Sequence, residues 1–577
     1  MAQQKLNLIY LKLLQEFGDR EFTVEDILNK KIFPYDEKSL IVILNRLKDD
    51  GLILVKKDEK DKRKSIYRLV TKPPVNYSNL KSVLKRAADL TRNMSEGYKI
   101  LLVLLFYKAF SDIWKKEYAK VKEQLIKEGL SEKEATEEAK LKEYHTIDIP
   151  EEYLWENVLK TKEKLTEKVR DALKLIGERN QGIKEAIDRL TRHIEDLIGK
   201  EGSDLLIRQA MEVFNDIDFS NLDFDALGYA YEWLIEQFMP AQKKAGELFT
   251  PREVIEVLVK ILDPSRERRK ILDPAAGSGG MLIEAYKYIK QTYEEDIAKE
   301  LILVGQEIND DTYAILKLNF LLHGIELGKN VKLYKGDSIL DPKFKNDGPF
   351  DIVIFNPPWN DDRYGEEVLK QSAIKEIFNK YGFPPKVSAD WAWILLALNF
   401  AKDDGKVGIV IDNGALFRGG REKAIRSKII ENDWVECVIL LPEKLFYNTG
   451  APGAIVIFNK NKPENRKKKI LFINASNYYE DHPDIRKMNK LSKEGIEKIV
   501  EVYKEWKEIP GFSKIVSIEE VIKNDYNLNV TLYVFSNLQT EEMNIKEVWG
   551  ELEKVNKELD ELEGKIKNWV EEIIKIA

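Results

Sequence analysis

The stretch FDIVIFNPPW at residues 350–359 limits the possible folds of this chain more than any other segment. Its first half is a nearly unbroken apolar run, which predicts a parallel strand buried on both faces. Two consecutive prolines, Pro357 and Pro358, then end the strand and stiffen the loop. Asn356 and Trp359 are therefore expected on a rigid loop at the strand's carboxyl end, the edge at which open α/β sheets bind ligands. An amide and an indole held in this way suit a planar amine.

The chain has 577 residues, which is too long for one compact core, so several domains are expected. Its net charge of −7 argues against a protein that binds DNA without a partner, since dedicated DNA-binding proteins are usually basic. One cysteine, Cys437, excludes an intramolecular disulfide, and the scattered histidines predict no metal site. Without a long apolar run or a signal-peptide pattern, we expect a cytoplasmic protein with no membrane partner.

Residues 1–72 predict a winged-helix-like module of three short helices and a charged β-hairpin. Thr23 is expected to cap the second helix, and the hairpin strands flank the charged run KKDEKDKRKS. Such modules often bind DNA through a helix and a basic tip. Docking to a protein, or a structural cap, is an equal alternative, because the basic run is interrupted by Asp58, Glu59 and Asp61.

Residues 80–243 predict a helical domain, which follows a proline-containing linker at 71–79. Its strongest apolar segment lies at 100–110, and a solvated hairpin rich in Lys and Glu covers 115–142. These residues by themselves indicate a helical bundle and no activity.

Three strand-to-loop transitions precede the NPPW loop. A short predicted strand ends in DPAAGSGG at 273–280, where small residues let a ligand approach the backbone at a helix N-terminus. Glu307 follows the next strand and is placed to accept both hydroxyls of a ribose. Asp337 follows the third strand and is placed to accept from an adenine amino group. The glycine-rich turn alone fits a dinucleotide site about as well, but the three together suit one nucleoside with a small charged tail.

This succession resembles an S-adenosylmethionine-dependent methyltransferase, which implies a Rossmann-like α/β domain with a seven-stranded sheet. The order GELFTPR, DPAAGSGG, GQE and NPPW is similar to the gamma arrangement of amino-methyltransferases. The helical stretch at 86–114 and the segments LGYAYEWL and LPEKLFYNTGAPGAIVIFNK further resemble the modification (methyltransferase, M) subunit of type I restriction-modification systems. The resemblance covers roughly 82–459 and places the catalytic domain at 244–535, whereas the module at 1–72 is a departure from it.

The resemblance implies roles for individual residues in binding S-adenosylmethionine. The glycine-rich turn should wrap the methionine part, Glu307 should hold the ribose, and Asp337 should hold the adenine. The alternative role of the glycines is to form a tight turn without binding a ligand. The alternative role of Asp337 is to cap a helix. From the residues themselves, Thr250 is expected to cap a helix that begins at Pro251. The remaining implied cofactor residues are Glu247, Leu248, Phe249, Thr250, Pro251, Arg252, Asp273, Ala275, Gly277, Ser278 and Gly279.

The NPPW loop supplies the candidate catalytic residues. The exocyclic amine of adenine is a poor nucleophile because its lone pair is delocalised into the ring. The Asn356 side-chain oxygen and the Pro357 carbonyl can accept its N–H groups and aim the lone pair at the sulfonium methyl. Pro358 fixes the loop, and Trp359 is expected to stack on a base swung out of the duplex. The alternative for Trp359 is a core aromatic at a strand end.

The type I resemblance implies site-specific N6-adenine methylation of double-stranded DNA, with the target read by a separate specificity (S) subunit. It also implies a second copy of the M subunit, in a complex of two M subunits with one S subunit, and a restriction (R) subunit. Methylation of an RNA guanine amine or of a protein glutamine amide through the same loop is the main alternative. A winged-helix regulator carrying a decayed methyltransferase domain is the non-enzymatic one.

Two further features concern the partners. Apolar residues within 540–577 alternate three and four positions apart, which predicts a coiled-coil helix. We expect this tail to dock on the long helices implied for the specificity subunit, with folding back on its own domain as the alternative. Arg418, Arg421 and Arg426 are candidates for facing the DNA backbone, although solvated helix charges are the ordinary explanation.

Overall fold

A computed structural model describes most of the chain. The described residues are 9–10, 12–13, 16–18, 20–49, 53–57, 64–69, 77–94, 97–220, 228, 230, 233–234, 250–265, 267–293, 295–446, 449–482, 488–535, 553–555, 557, 559 and 562. Among the helices in these ranges, none is long and apolar enough to cross a bilayer.

The first part of the chain forms a small module with its own hydrophobic cluster. Its three strands make an antiparallel sheet in the order β1-β3-β2. Thr23 caps the helix at Val24–Asn29 as predicted, because its hydroxyl accepts the Asp26 N–H while the Asp26 carboxylate accepts the Thr23 N–H. The elements are β1 (Glu21–Phe22), α1 (Val24–Asn29), α2 (Glu37–Asp49), β2 (Ile53–Lys57) and β3 (Ser65–Leu69).

A helical bundle follows, built around the long apolar helix that the sequence predicts. Residues 100–114 are all buried, so this segment forms the centre of the bundle. The Lys108 ammonium is buried there and pairs with the Asp112 carboxylate, which also accepts the Phe219 N–H at 3.0 Å. The helices are α3 (Tyr77–Thr91), α4 (Gly97–Lys127), α5 (Glu132–Glu138), α6 (Trp155–Leu159), α7 (Leu165–Arg179), α8 (Lys184–Glu195) and α9 (Ser203–Phe214).

The described residues between 250 and 535 form an α/β domain around one large sheet. Its strands are β4 (Lys270–Asp273), β5 (Ile302–Glu307), β6 (Val331–Lys335), β7 (Phe350–Phe355), β8 (Ala401–Asp412), β9 (Val435–Leu440), β10 (Gly453–Asn459), β11 (Lys469–Asn474) and β14 (Ser513–Ser517). A separate ribbon contains β12 (Tyr479–Asp481) and β13 (Asn489–Leu491).

Helices cover the two faces of this sheet and bury it in two hydrophobic clusters. They are α10 (Arg252–Leu262), α11 (Gly280–Thr292), α12 (Glu295–Lys299), α13 (Asp310–Leu322), α14 (Glu366–Leu369), α15 (Lys375–Tyr381), α16 (Asp390–Phe400), α17 (Gly420–Glu431), α18 (Lys493–Glu505) and α19 (Ile518–Lys523).

The large sheet has nine strands in the order β14-β11-β9-β10-β8-β7-β4-β5-β6. The expectation of seven strands is therefore corrected: β11 pairs with β9, and β14 pairs with β11, so two strands extend one edge. The neighbouring strands β6, β5, β4, β7 and β8 pair in parallel in that order. Strand β10 runs antiparallel to both of its neighbours, β8 and β9.

The strand order fixes where a ligand binds. From β4 the chain moves outward through β5 and β6, then returns to β7 on the opposite side of β4. The carboxyl ends of β4 and β7 therefore border a topological switch point, where open α/β sheets form their binding crevice. Both the glycine-rich turn after β4 and the NPPW loop after β7 lie at this edge.

The helical bundle packs directly on the α/β domain through α8 and α13. Ala314, Ile315 and Leu318 of α13 belong to the hydrophobic cluster of the bundle. At the rim of this contact, Arg189 pairs with Asp311 at 2.7 Å. The contact therefore joins the bundle to the helix that follows β5, next to the switch point.

Candidate active site

Asn356 is held at both ends of its amide group. Its Nδ2 donates to the Thr250 hydroxyl oxygen at 2.9 Å, and its Oδ1 accepts the Trp359 indole N–H at 2.9 Å. Because an indole nitrogen only donates, this contact fixes which end of the amide carries the oxygen. An amide oxygen has two lone pairs and can therefore accept from more than one donor.

Thr250 does not cap the following helix. Helix α10 begins at Arg252 with Pro251 at the N-cap position, so the boundary lies one residue later than predicted. The Thr250 hydroxyl accepts instead from Asn356. The predicted residues 247–249 lie outside the described residues, and Arg252 pairs loosely with Glu284 at 3.8 Å.

Trp359 occupies the position of a core aromatic. Its side chain is 3% exposed, and its ring meets Phe446 edge-on, with centroids 4.8 Å apart. A Cβ at position 453 would lie only 2.9 Å from the indole, so the packing of the ring leaves no room for a side chain at Gly453. The structure therefore places Trp359 as a core aromatic at a strand end, which was the alternative expectation. Base stacking by this ring stays a prediction.

The turn after β4 depends on glycine at two positions. Gly277 and Gly279 have φ angles of +51° and +93°, which other residues rarely adopt. A Cβ at Gly279 would also lie 2.6 Å from Leu316 and Phe320. The turn is further tied down by Asn319, whose Nδ2 donates to the Ser278 carbonyl at 2.9 Å. Gly279 therefore lets the turn pack against α13, and Gly277 leaves open space beside the turn.

Glu307 links this turn to the end of β5. Its Oε2 accepts the Gly277 N–H at 3.0 Å, and its Oε1 accepts the Asn309 N–H at 2.7 Å. A carboxylate has about four lone-pair positions, so its oxygens can accept hydroxyl groups of a ligand as well as these backbone donors. Glu307 therefore combines a structural bridge with the chemistry of a ligand acceptor.

Asp273 is a buried acid at the end of β4. Its side chain is 1% exposed, and its Oδ1 accepts the Ala275 N–H at 3.0 Å. Burial raises the pKa of Asp273 to about 8; the Ala275 N–H opposes this, and the nearby charge of Glu307 adds to it. This raised pKa leaves Asp273 mostly protonated near neutral pH, so its carboxyl group can donate as well as accept a hydrogen bond.

Asp337 caps a turn at 338–340, so it matches neither the expected helix cap nor, as yet, the adenine contact. Its Oδ1 accepts the N–H groups of Ile339 and Leu340, both at 3.0 Å. Its Oδ2 accepts the hydroxyl of Tyr364 at 3.0 Å. Tyr364 is 2% exposed, and burial raises its pKa well above the ordinary value. Sequence reasoning missed Tyr364, since no local pattern around it indicates a contact with Asp337.

Two of the three arginines considered for DNA contacts have other partners. Arg426 is 1% exposed and donates to the backbone carbonyls of Ala415 and Arg418. Arg418 lies in a cluster of carboxylates beside the NPPW loop. Only Arg421 matches the solvated alternative, because its side chain is 56% exposed and pairs with Glu366 at 3.0 Å.

The described residues contain no group of three or more His, Cys, Asp or Glu side chains arranged to hold a metal ion. The site consists instead of an amide acceptor, a glycine-rich turn and two buried acids around one crevice. This combination is suited to a charged nucleoside and an amine that approach each other across the switch point.

Comparison with known proteins identifies the class of enzyme to which this fold and loop belong. Residues 222–542 match the family of N-6 DNA methylases, and residues 80–214 match the HsdM N-terminal domain. The chain is 43% identical over 580 residues to the type I restriction enzyme MjaVII methylase subunit of Methanocaldococcus jannaschii, an alignment covering 98% of this chain and 96% of that one. The chain belongs to the methylase subunits of type I restriction enzymes.

More distant relatives agree with this assignment. The type I restriction enzyme MpnII methylase subunit of Mycoplasma pneumoniae is 31% identical over 393 residues, covering 65% of this chain and 70% of that one. The crystal structure of the type I restriction-modification methyltransferase subunit of Streptococcus thermophilus superposes with a TM-score of 0.62. It is 27% identical and covers 79% of this chain and all of that chain.

Proposed function

We propose that this chain transfers the methyl group of S-adenosylmethionine to the N6 amine of adenine in double-stranded DNA. It acts as the catalytic subunit of a type I restriction-modification complex whose target is read by a separate specificity subunit. The observation that carries the proposal is the doubly held Asn356 amide at the switch point, in a chain of this family. The alternative substrates, RNA guanine and protein glutamine, gain no support from any contact among the described residues of the site.

The residues around the crevice fit S-adenosylmethionine. Gly277 and Gly279 leave the backbone accessible for the methionine part, and the Glu307 carboxylate offers acceptors for the ribose hydroxyls. When bound, S-adenosylmethionine supplies an electrophilic methyl group on sulfur.

The acceptor loop prepares the amine. The Asn356 side-chain oxygen and the Pro357 carbonyl accept the two N–H groups of adenine N6. These hydrogen bonds favour the pyramidal amine and orient its lone pair across the crevice. Thr250 and Trp359 hold the Asn356 amide in one orientation, so the amide itself need not rotate when the base enters.

We also propose that Trp359 stacks on the flipped adenine. Its ring now packs on Phe446, so the pair must open to admit a base. Asp337 would accept a hydrogen bond from the adenine amino group of the cofactor. It would use lone pairs that its contacts with Ile339, Leu340 and Tyr364 leave available.

Labelled S-adenosylmethionine incubated with DNA, RNA or protein, with the specificity subunit present, tests the proposed function. We expect label in DNA adenine, identified as N6-methyladenine after digestion to nucleosides. Label in RNA or protein with none in DNA would overturn the proposal.

We propose further that the C-terminal tail docks on the specificity subunit, and that the complex includes a second M subunit and a restriction subunit. The described tail residues are helical. Val555, Leu559 and Leu562, which belong to the apolar stripe, are 57%, 55% and 56% exposed. A repeating apolar stripe exposed to water favours burial against a partner helix.

Deleting residues 544–577 is expected to abolish co-purification with the specificity subunit, because the deletion removes the whole stripe. The single change Leu559→Lys should weaken co-purification through a charge within the stripe, whereas Lys557→Ala, outside the stripe, should not. Affinity capture of the co-expressed subunits measures all three. Unchanged assembly after the deletion would contradict the docking role.

A further inference from the structure

We propose that Arg418 is a positioning residue for the methyl-transfer reaction, acting through Asn360 to hold the outgoing end of the NPPW loop. This inference rests on the proposed function and adds to it a second anchor of the acceptor loop. Thr250 anchors the loop where it begins, at Asn356. Arg418 and its carboxylate partners anchor it immediately after Trp359.

Asn360 is bound at three points. Its backbone N–H donates to Asp390 Oδ1 at 3.3 Å, its side-chain oxygen accepts from Arg418 at 2.7 Å, and its Nδ2 donates to Asp412 at 3.4 Å. Its φ angle of +53° is uncommon for a residue other than glycine. A residue in this conformation persists where its surroundings fix it, as these three contacts do.

Arg418 connects the segments that meet at this residue. One guanidinium nitrogen contacts Asn360 and Asp412, and the other lies 3.3 Å from Asp390 and 3.3 Å from Glu422. Asp412 ends β8, Asp390 begins α16, and Glu422 lies in the first turn of α17. The planar fork of an arginine directs its donors to all four of these groups, whereas a lysine ammonium is a compact point charge without that fixed geometry.

The charges in this cluster make Arg418 necessary to it. Asp390 and Glu422 are almost fully buried, and burial raises the pKa of Asp390 to about 6 and raises that of Glu422. Three carboxylates facing one another repel unless a cation lies between them. Arg418 places its guanidinium against all three carboxylates and also touches the loop, whereas Arg426 adds its positive charge near Glu422.

The position of the loop matters because the reaction is a transfer between two bound groups. A shift of about 1 Å in such a geometry can slow a reaction by roughly 10²-fold. Asn360 is separated from Asn356 by only Pro357, Pro358 and Trp359, and the prolines transmit displacement because their φ angles are fixed. Loosening Asn360 therefore moves the acceptor oxygens without touching the cofactor turn.

Asn360→Gly and Arg418→Lys test the proposal in the complex with the specificity subunit and DNA. Glycine tolerates the left-handed backbone and retains the N–H to Asp390, so this change removes only the side-chain contacts. We expect the single-turnover methyl-transfer rate at saturating DNA and cofactor to fall about tenfold in each variant. The affinity for S-adenosylmethionine should change less than about twofold, since the glycine-rich turn is untouched.

The double variant tests whether Arg418 acts through Asn360, and the unfolding midpoint tests whether a variant has lost stability. If Arg418 acts through Asn360, the double variant should be about as slow as the slower single variant, because coupled changes are not additive. Arg421→Lys, an exposed residue in the first turn of α17 and three positions after Arg418, is the matched control and should retain the wild-type rate. The unfolding midpoint of each variant is measured in parallel.

Two outcomes would overturn the inference: wild-type rates in Asn360→Gly, or rate losses in the two single variants that multiply in the double variant. Failure of the wild-type complex to methylate DNA at all would overturn the proposed function instead. The inference and the function on which it rests therefore fail in different measurements.

Discussion

Asn356→Ala is expected to lower the methyl-transfer rate by at least about 10²- to 10³-fold, the scale seen when one preorganised polar group is removed from an active site. The change removes the side-chain oxygen that accepts the amine and the partner of both Thr250 and Trp359. Single-turnover transfer from labelled cofactor measures the effect. Cofactor affinity should stay nearly intact, because Asn356 belongs to the loop after β7, whereas the residues proposed to hold the methionine part and the ribose follow β4 and β5.

Asn346→Ala provides a matched control at an exposed asparagine just before the same strand. It should leave both the rate and the cofactor affinity unchanged. Substantial turnover in Asn356→Ala would remove the amide from the mechanism. A large loss of cofactor affinity would instead indicate that the NPPW loop belongs to the cofactor site.

Glu307→Ala is expected to weaken S-adenosylmethionine binding by about 100-fold, or roughly 3 kcal/mol, since a hydrogen bond to a charged group contributes about 1.5–3 kcal/mol. The substitution removes the acceptors proposed for the ribose. It also releases the Gly277 and Asn309 N–H groups that the carboxylate now holds. Isothermal titration with the cofactor measures the affinity.

The control is Glu326→Ala, an exposed acid in the loop before β6, which should bind the cofactor normally. At saturating cofactor, Glu307→Ala should recover much of its methyl-transfer rate, because the acceptor loop is intact. An unchanged dissociation constant in Glu307→Ala would contradict the ribose assignment.

The strands that border the site were predictable from local sequence. β4, β5, β6 and β7 lie where short apolar runs end in glycine, acidic or proline residues. An apolar run and its terminating residues are adjacent in sequence, so the pattern contains the information needed to place them. The cap of α1 by Thr23 was predictable for the same reason.

Predictions that depend on distant contacts were less successful. Thr250 had the residue type of a helix cap, but its partner is 106 positions away in sequence. The two extra strands of the sheet were missed because only pairing with β9 and β11 identifies them. Arg426 is buried and donates to backbone carbonyls of Tyr526 and Ala415. No local pattern brings these distant carbonyls together.

The sequence by itself determined the chemistry of this protein: an amide on a proline-stiffened loop, a glycine-rich turn, and acids after successive strands. Only the tertiary structure decided how that chemistry is held. It oriented the Asn356 amide between Thr250 and Trp359, buried the indole, and brought Arg418 to Asn360 across 58 positions. The physical reason is that strand propensity and turn residues act between neighbours, whereas these hydrogen bonds form only after the parallel strands align their carboxyl ends.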